Sequence, residues 1–178
     1  MNKTLVVYKS KYGATKHYAK LFVQQVAAEL RENRDLTAQE LSEYDTVLFF
    51  SAIYASGISG LSTLRKNMAV LRDKRVAIFC VGASPYDEKT FLEMKRRNLK
   101  DDLCDLPVFY GRGAWNEAAM SLTDRTLCRL LQKSLTKKEP GDLAPWEQAL
   151  LEAQGRCCDW TDATYLQPLL DWLAAVCD

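Results

Sequence analysis

Six residues near the N-terminus carry the most chemistry: Ser10-Lys11-Tyr12-Gly13-Ala14-Thr15. They follow a β-rich run, Leu5-Val6-Val7-Tyr8, and precede apolar residues at helical spacing, Tyr18, Leu21, Phe22, Val26 and Leu30. In a strand–loop–helix unit, backbone N–H groups converge on an anion and the helix N-terminus adds partial positive charge. Ser10 and Thr15 offer hydroxyl donors, and Gly13 permits a backbone geometry that a Cβ obstructs. The loop has neither the G-K-[ST] end of a P-loop nor a G-x-G-x-x-G pattern, which points to a monophosphate rather than a triphosphate or dinucleotide. The plainer alternative is an ordinary turn in which Thr15 caps a helix.

Two further small-residue stretches also follow strand-like runs. Val47-Leu48-Phe49-Phe50 is continuously apolar, as expected of a strand buried on both faces, and Ser51 to Gly60 reads as its loop. Arg75 to Val81 is the next buried strand, broken by Gly82-Ala83-Ser84-Pro85. The spacing predicts helices over Leu61 to Leu71, Asp87 to Leu99, Leu122 to Leu135 and Thr164 to Val176, with Pro145 opening a shorter one. Leu36 to Leu41 reads as a short edge strand, and Leu106 to Tyr110 as the last strand. Alternating strands and helices imply a doubly wound α/β fold, a five-stranded parallel sheet of order 2-1-3-4-5 with helices on both faces. The three loops then fall together at the carboxyl ends of the strands, where such sheets bind ligands.

Composition narrows the function. The 178 residues suit one domain, 1–178, and 48% hydrophobic content allows a real core. With 24 basic and 23 acidic residues, the net charge of +1 leaves no nucleic-acid footprint. No export signal or bilayer-length apolar run is visible, so the expected location is cytoplasmic, with the cysteines reduced. Cys157 and Cys158 are adjacent, but no C-x-x-C pair or Cys/His zinc pattern occurs. They read as incidental thiols, with redox activity as the alternative. His17, in the first turn beyond the loop, reads as a solvated helix residue. The four tryptophans, Trp115, Trp146, Trp160 and Trp172, read mostly as core or semi-buried, with part of a substrate-pocket wall as the alternative.

The pattern [ST]-x-x-G-x-T after an N-terminal strand resembles the phosphate loop of flavodoxins. The resemblance runs from Thr4 to about Val81 and resumes near the C-terminus. It implies FMN as cofactor, with its phosphate on Ser10 to Thr15. The stretch Ser51-Ala52-Ile53-Tyr54-Ala55-Ser56-Gly57 resembles the family's first isoalloxazine loop, with Tyr54 a stacking candidate or else a surface tyrosine. Gly57 is where the family implies a peptide flip. Gly82, Ala83, Ser84 and Tyr86 are expected at the pyrimidine end, Tyr86 as a second stacking candidate. A narrower likeness, to the flavodoxin-like oxygen-independent protoporphyrinogen oxidases, lies in Ala52-Ile53-Tyr54, in Gly111-Arg112-Gly113-Ala114-Trp115 leading to Asp124-Arg125, and in the basic helix that follows. It implies an FMN enzyme that moves reducing equivalents from a porphyrinogen to a quinone. This chain lacks that family's longer basic insertion in the third loop and carries an extra segment, roughly residues 139–156.

Lys9, Lys11 and Lys16 against Asp87 and Glu88 give a basic flavin edge, unlike the acidic surround of carriers. The expected partner is therefore a small-molecule redox substrate; the alternative is an electron carrier docking on redox partner proteins. On the helix from Leu122, Arg125, Arg129, Lys133 and Lys137 lie opposite Leu127, Leu130, Leu131 and Leu135. The plain expectation puts the leucines on the sheet and the charges in water. The alternative is peripheral contact with the inner face of a membrane.

Overall fold

In a computed structural model that describes residues 3–34 and 36–175, strands and helices alternate for most of the chain. They run β1 (Thr4–Lys9), α1 (Ala14–Val23), β2 (Glu29–Glu32), α2 (Ala38–Ser42), β3 (Thr46–Tyr54), β4 (Gly57–Ile58), α3 (Leu61–Leu71), β5 (Arg75–Gly82), α4 (Glu88–Asn98) and β6 (Val108–Arg112). Then follow β7 (Ala114–Asn116), α5 (Leu122–Leu135), α6 (Pro145–Glu152), β8 (Cys157–Asp159), a 3-10 turn (Ala163–Leu166) and α7 (Gln167–Ala174). Five parallel strands are ordered β2-β1-β3-β5-β6, and β4 is a two-residue antiparallel arm on β3. With β4 set aside, this is the predicted 2-1-3-4-5 order.

Apolar residues alternate across the central strands, so each strand supplies two cores. Leu5, Val7, Val47, Phe49, Ile78 and Cys80 face α3 and α4. Val6, Tyr8, Leu48, Phe50, Ala77, Phe79 and Val81 face α1 and α7, where Tyr18, Phe22, Leu166 and Leu169 close the second core. The tyrosine ring of Tyr18 spans this layer: its hydroxyl donates to Arg112 O at 2.6 Å and accepts from Asp162 N–H at 3.1 Å. Arg75 donates to the carbonyls of Trp172 and Leu173 at the end of α7, a cation on the negative end of a helix.

Three expectations need correction. The edge strand is Glu29–Glu32, not Leu36 to Leu41. Thr37 instead caps α2 reciprocally with Glu40, the S/T-x-x-E signature of a helix start. Helix α1 ends at Val23; Val26 and Leu30 reach the same core from a loop and from β2. The segment from Ser51 is not a loop throughout, because β3 continues to Tyr54. Only Ala55 and Ser56 turn the chain, both at positive φ, 47° and 63°, as a tight hairpin requires. Val176 and Cys177 lie outside the described residues.

Candidate functional site

The ends of β1, β3 and β5 bring the three loops to one edge of the sheet. In the first, Gly13 adopts φ 99° and its N–H meets Ser10 Oγ at 3.1 Å. A Cβ there would touch nothing within 4 Å, so glycine is needed for its backbone angle, not for space. Helix α1 begins at Ala14 without a side-chain cap, and the N–H groups of Ala14, Thr15 and Lys16 have no partner among the described residues. Thr15 is buried at this helix start. The donor set is three N–H groups at a positive helix end, two hydroxyls and the lysines Lys11 and Lys16, and it suits a phosphate dianion.

The second loop is a hairpin tip held from outside. Asn98, on the last turn of α4, accepts from Ile58 N–H at 3.1 Å and donates to Ser56 O at 2.8 Å. Ala52 and Ile53 are strand residues, and Ile53 packs against the first core. Gly57 lies in β4 opposite Tyr54. The third loop has its carbonyls occupied from β6 and beyond: Gly113 N–H reaches Gly82 O at 2.7 Å, Arg112 Nε reaches Ala83 O at 3.1 Å, and Tyr110 hydroxyl reaches Ser84 O at 2.5 Å. The N–H groups of Ser84 and Tyr86 have no partner among the described residues. Tyr86 is exposed, its ring 5.4 Å from Phe91 and 5.8 Å from Tyr110.

One residue links the first two loops, and no sequence spacing pointed to it as a contact. Asp124, in the first turn of α5, accepts the hydroxyls of Tyr12 at Oδ2 and Tyr54 at Oδ1, and pairs with the Lys11 ammonium. Ser121 caps this helix, its Oγ accepting from Asp124 N–H at 3.2 Å, while Ser121 N–H reaches back to Tyr12 hydroxyl at 3.4 Å. Lys11 Nζ lies 4.3 Å from the centre of the Tyr54 ring, a cation–π contact. The Lys11 ammonium, then the two hydroxyls, hold the Asp124 carboxyl well below the usual carboxylate range. The same carboxylate raises the pKa of Lys11 and of Tyr54. The basic edge tallied from Lys9, Lys11 and Lys16 is thus partly neutralised. The Ser121 cap is a local contact within the helix start, but the Asp124 contact with a loop over a hundred residues earlier has no local signal.

A parallel sheet wound on both sides, with an uncapped helix start and two further loops at its carboxyl edge, defines the class of proteins that seat a phosphate-bearing ligand at a strand-order reversal. The sequence matches the model of the flavodoxin domain over residues 5–142, and the chain belongs to that family. No curated protein matches it. Among solved structures it is similar to a WrbA-like flavodoxin from Agrobacterium tumefaciens, at 22% identity over 73% of this chain and 92% of that one, TM-score 0.44. It is also similar to two-electron reduced Megasphaera elsdenii flavodoxin, at 17% identity over 60% and 82%, TM-score 0.45. A third is a flavoprotein in complex with FMN from Lactobacillus acidophilus, at 18% identity over 63% and 93%, TM-score 0.40.

Proposed function

We propose that this protein binds FMN at the edge formed by the three loops and works as an oxidoreductase on a small reduced organic donor. The observation that carries the reading is the uncapped start of α1, with free N–H groups at Ala14 to Lys16 beside Ser10 and Thr15. These groups would hold the phosphate. Tyr54 and Tyr86, on the second and third loops, would flank the ring system, and the free N–H groups of Ser84 and Tyr86 would meet its pyrimidine edge. The chemistry FMN supplies when bound is uptake of reducing equivalents from a donor and their release to an acceptor. The likeness to oxygen-independent protoporphyrinogen oxidases supports a porphyrinogen-type donor and a quinone acceptor.

The protein's own part is orientation and charge. Asp124 remains a carboxylate at neutral pH and accepts hydrogen bonds from the Tyr12 and Tyr54 hydroxyls, raising the pKa of Tyr54. It fixes the side chains of two loops that the ligand must enter between. This arrangement favours a small-molecule donor over open docking of a protein partner, because a side-chain cluster from α5 stands at the edge a carrier would leave bare.

Thr15→Ala is expected to weaken FMN binding by about 1.5–3 kcal/mol, the worth of a hydroxyl donated to a charged acceptor. Riboflavin, without the phosphate, should bind wild type and variant alike. Titration with quenching of flavin fluorescence measures both. Equal losses for the two flavins would remove Thr15 from the phosphate site, and no quenching by the wild type would remove FMN. Anaerobic mixing of the FMN-loaded protein with a porphyrinogen then tests the donor class: bleaching of the visible flavin band supports it, and an unchanged spectrum rejects it.

A further inference from the structure

Helix α5 is amphipathic, yet it packs on a side rotated from the one its pattern suggests. Asp124, Gln132 and Leu135 are buried and Cys128 is half-buried, so a largely polar stripe faces the protein. Gln132 Nε2 donates to Leu150 O at 3.0 Å, tying the helix to α6. Of the four leucines expected on the sheet, Leu135 is buried, but Leu130 is 60% exposed, Leu127 55% and Leu131 41%; Leu122, at the helix start, is 79% exposed.

Leu127, Leu130 and Leu131 are neighbours on the helix surface, and the cations form the adjoining flank. Between residues 122 and 138 there are five cations, Arg125, Arg129, Lys133, Lys137 and Lys138, and one acid, the buried Asp124. Lys133 and Lys137 have no ion-pair partner among the described residues. An apolar stripe beside unpaired cations complements one kind of surface, an acyl boundary under anionic headgroups. A second copy meeting this face by two-fold symmetry would bring like charges together, which opposes it. No helix among the described residues is long and apolar enough to cross a membrane, so the contact is one of lying on the surface.

We propose that the outward face of α5 docks the protein on an anionic lipid surface, its leucines at the acyl boundary and its lysines among the headgroups. This goes beyond the flavin reading and does not depend on it. The first turn of the same helix holds Tyr12 and Tyr54 through Asp124, so docking would bring the loop edge close to the lipid.

The test is co-sedimentation of the full chain with vesicles of phosphatidylcholine alone and of phosphatidylcholine with phosphatidylglycerol. The wild type is expected to pellet with the anionic vesicles, to be released by salt and to ignore the neutral ones. A double variant, Leu127→Gln with Leu130→Gln, should keep its circular dichroism and melting temperature, since both positions are exposed, yet lose about tenfold in partition. Lys133→Gln with Lys137→Gln should lose the salt-sensitive part. A wild type that stays in solution with anionic vesicles overturns the proposal. So does a leucine variant that binds as well as the wild type. A concentration-dependent dimer in sedimentation velocity, abolished by the leucine variant and unaccompanied by vesicle binding, would assign the face to a second copy instead.

Discussion

The sheet and the segment from 113 to 160 are built on opposite rules. In the sheet, aromatic and aliphatic side chains fill both faces: Phe79 lies 5.2 Å from the Tyr18 ring and 5.0 Å from Phe50. The buried polar residues of the sheet and its flanking helices, Thr4, Thr15, Thr46, Ser51 and Asn67, are all uncharged. In the later segment buried carboxylates sit among few buried apolar side chains, Leu135, Ala149 and Ala153. Glu117 accepts from Gly155 N–H at 2.9 Å and Arg129 at 2.8 Å, and Glu147 takes Lys138 at 2.8 Å and Ala144 N–H at 3.0 Å. Glu117, Asp124 and Glu147 are the buried carboxylates among the described residues, and all three lie here. Among the described residues two buried side-chain atoms, Trp115 Nε1 and Gln132 Oε1, find no partner. The sheet is therefore held by non-directional burial, and the segment by specific pairs that fail when a partner goes.

Four measurements sharpen or break this contrast. Phe79→Ala should cost the most, about 3–5 kcal/mol, because it empties the centre of one core. Urea unfolding would show it, and a loss below about 1 kcal/mol would mean the core collapses around the gap. Glu117→Ala should cost less, about 1–3 kcal/mol, by stranding Gly155 N–H and Arg129. The same pairs give the segment a pH dependence. Gly155 N–H and then Arg129 lower the pKa of Glu117, and Lys138 then Ala144 N–H lower that of Glu147. Their stabilisation is complete above the ordinary glutamate value and is lost as pH falls through the lowered values. Amide exchange, corrected for its intrinsic pH dependence, should rise in peptides from 113–160 on acidification before it rises in β3 or β5. Simultaneous loosening of both regions would erase the distinction. Leu127→Gln should do least, within about 0.5 kcal/mol on folding in thermal melts, because the side chain meets water in both states. A larger loss would put Leu127 inside a contact.

What the sequence revealed followed the same line. The apolar runs of β3 and β5 were legible because burial on both faces leaves an unmistakable pattern, and α3 because its apolar residues recur at helical spacing. The β2 edge strand, Glu-Leu-Arg-Glu, buries too little to leave one, while Thr37 and Glu40 carried a helix-start signature that the strand reading passed over. For α5 the helix was legible and its facing was not. The period tells which residues share a side, but the buried side here is chosen by Asp124 and Gln132, polar residues whose partners lie on other elements. At the site, the first loop was written in its own spacing. Asp124 and Asn98 act across the fold, and no local pattern records such contacts.

The closing of the second core by α7 has a consequence for biosynthesis. Leu166 and Leu169 cover the side of the sheet that β1 and α1 begin, and Tyr18 finds Asp162 only there. With synthesis at roughly 5–20 residues per second, the about fifty residues between β6 and the final turn keep that face open for seconds on the ribosome. During this interval the nascent chain displays Phe22, Phe50 and Phe79 without their last cover. A chaperone that holds apolar surface has its window there, and release of the C-terminal helix from the exit tunnel ends it.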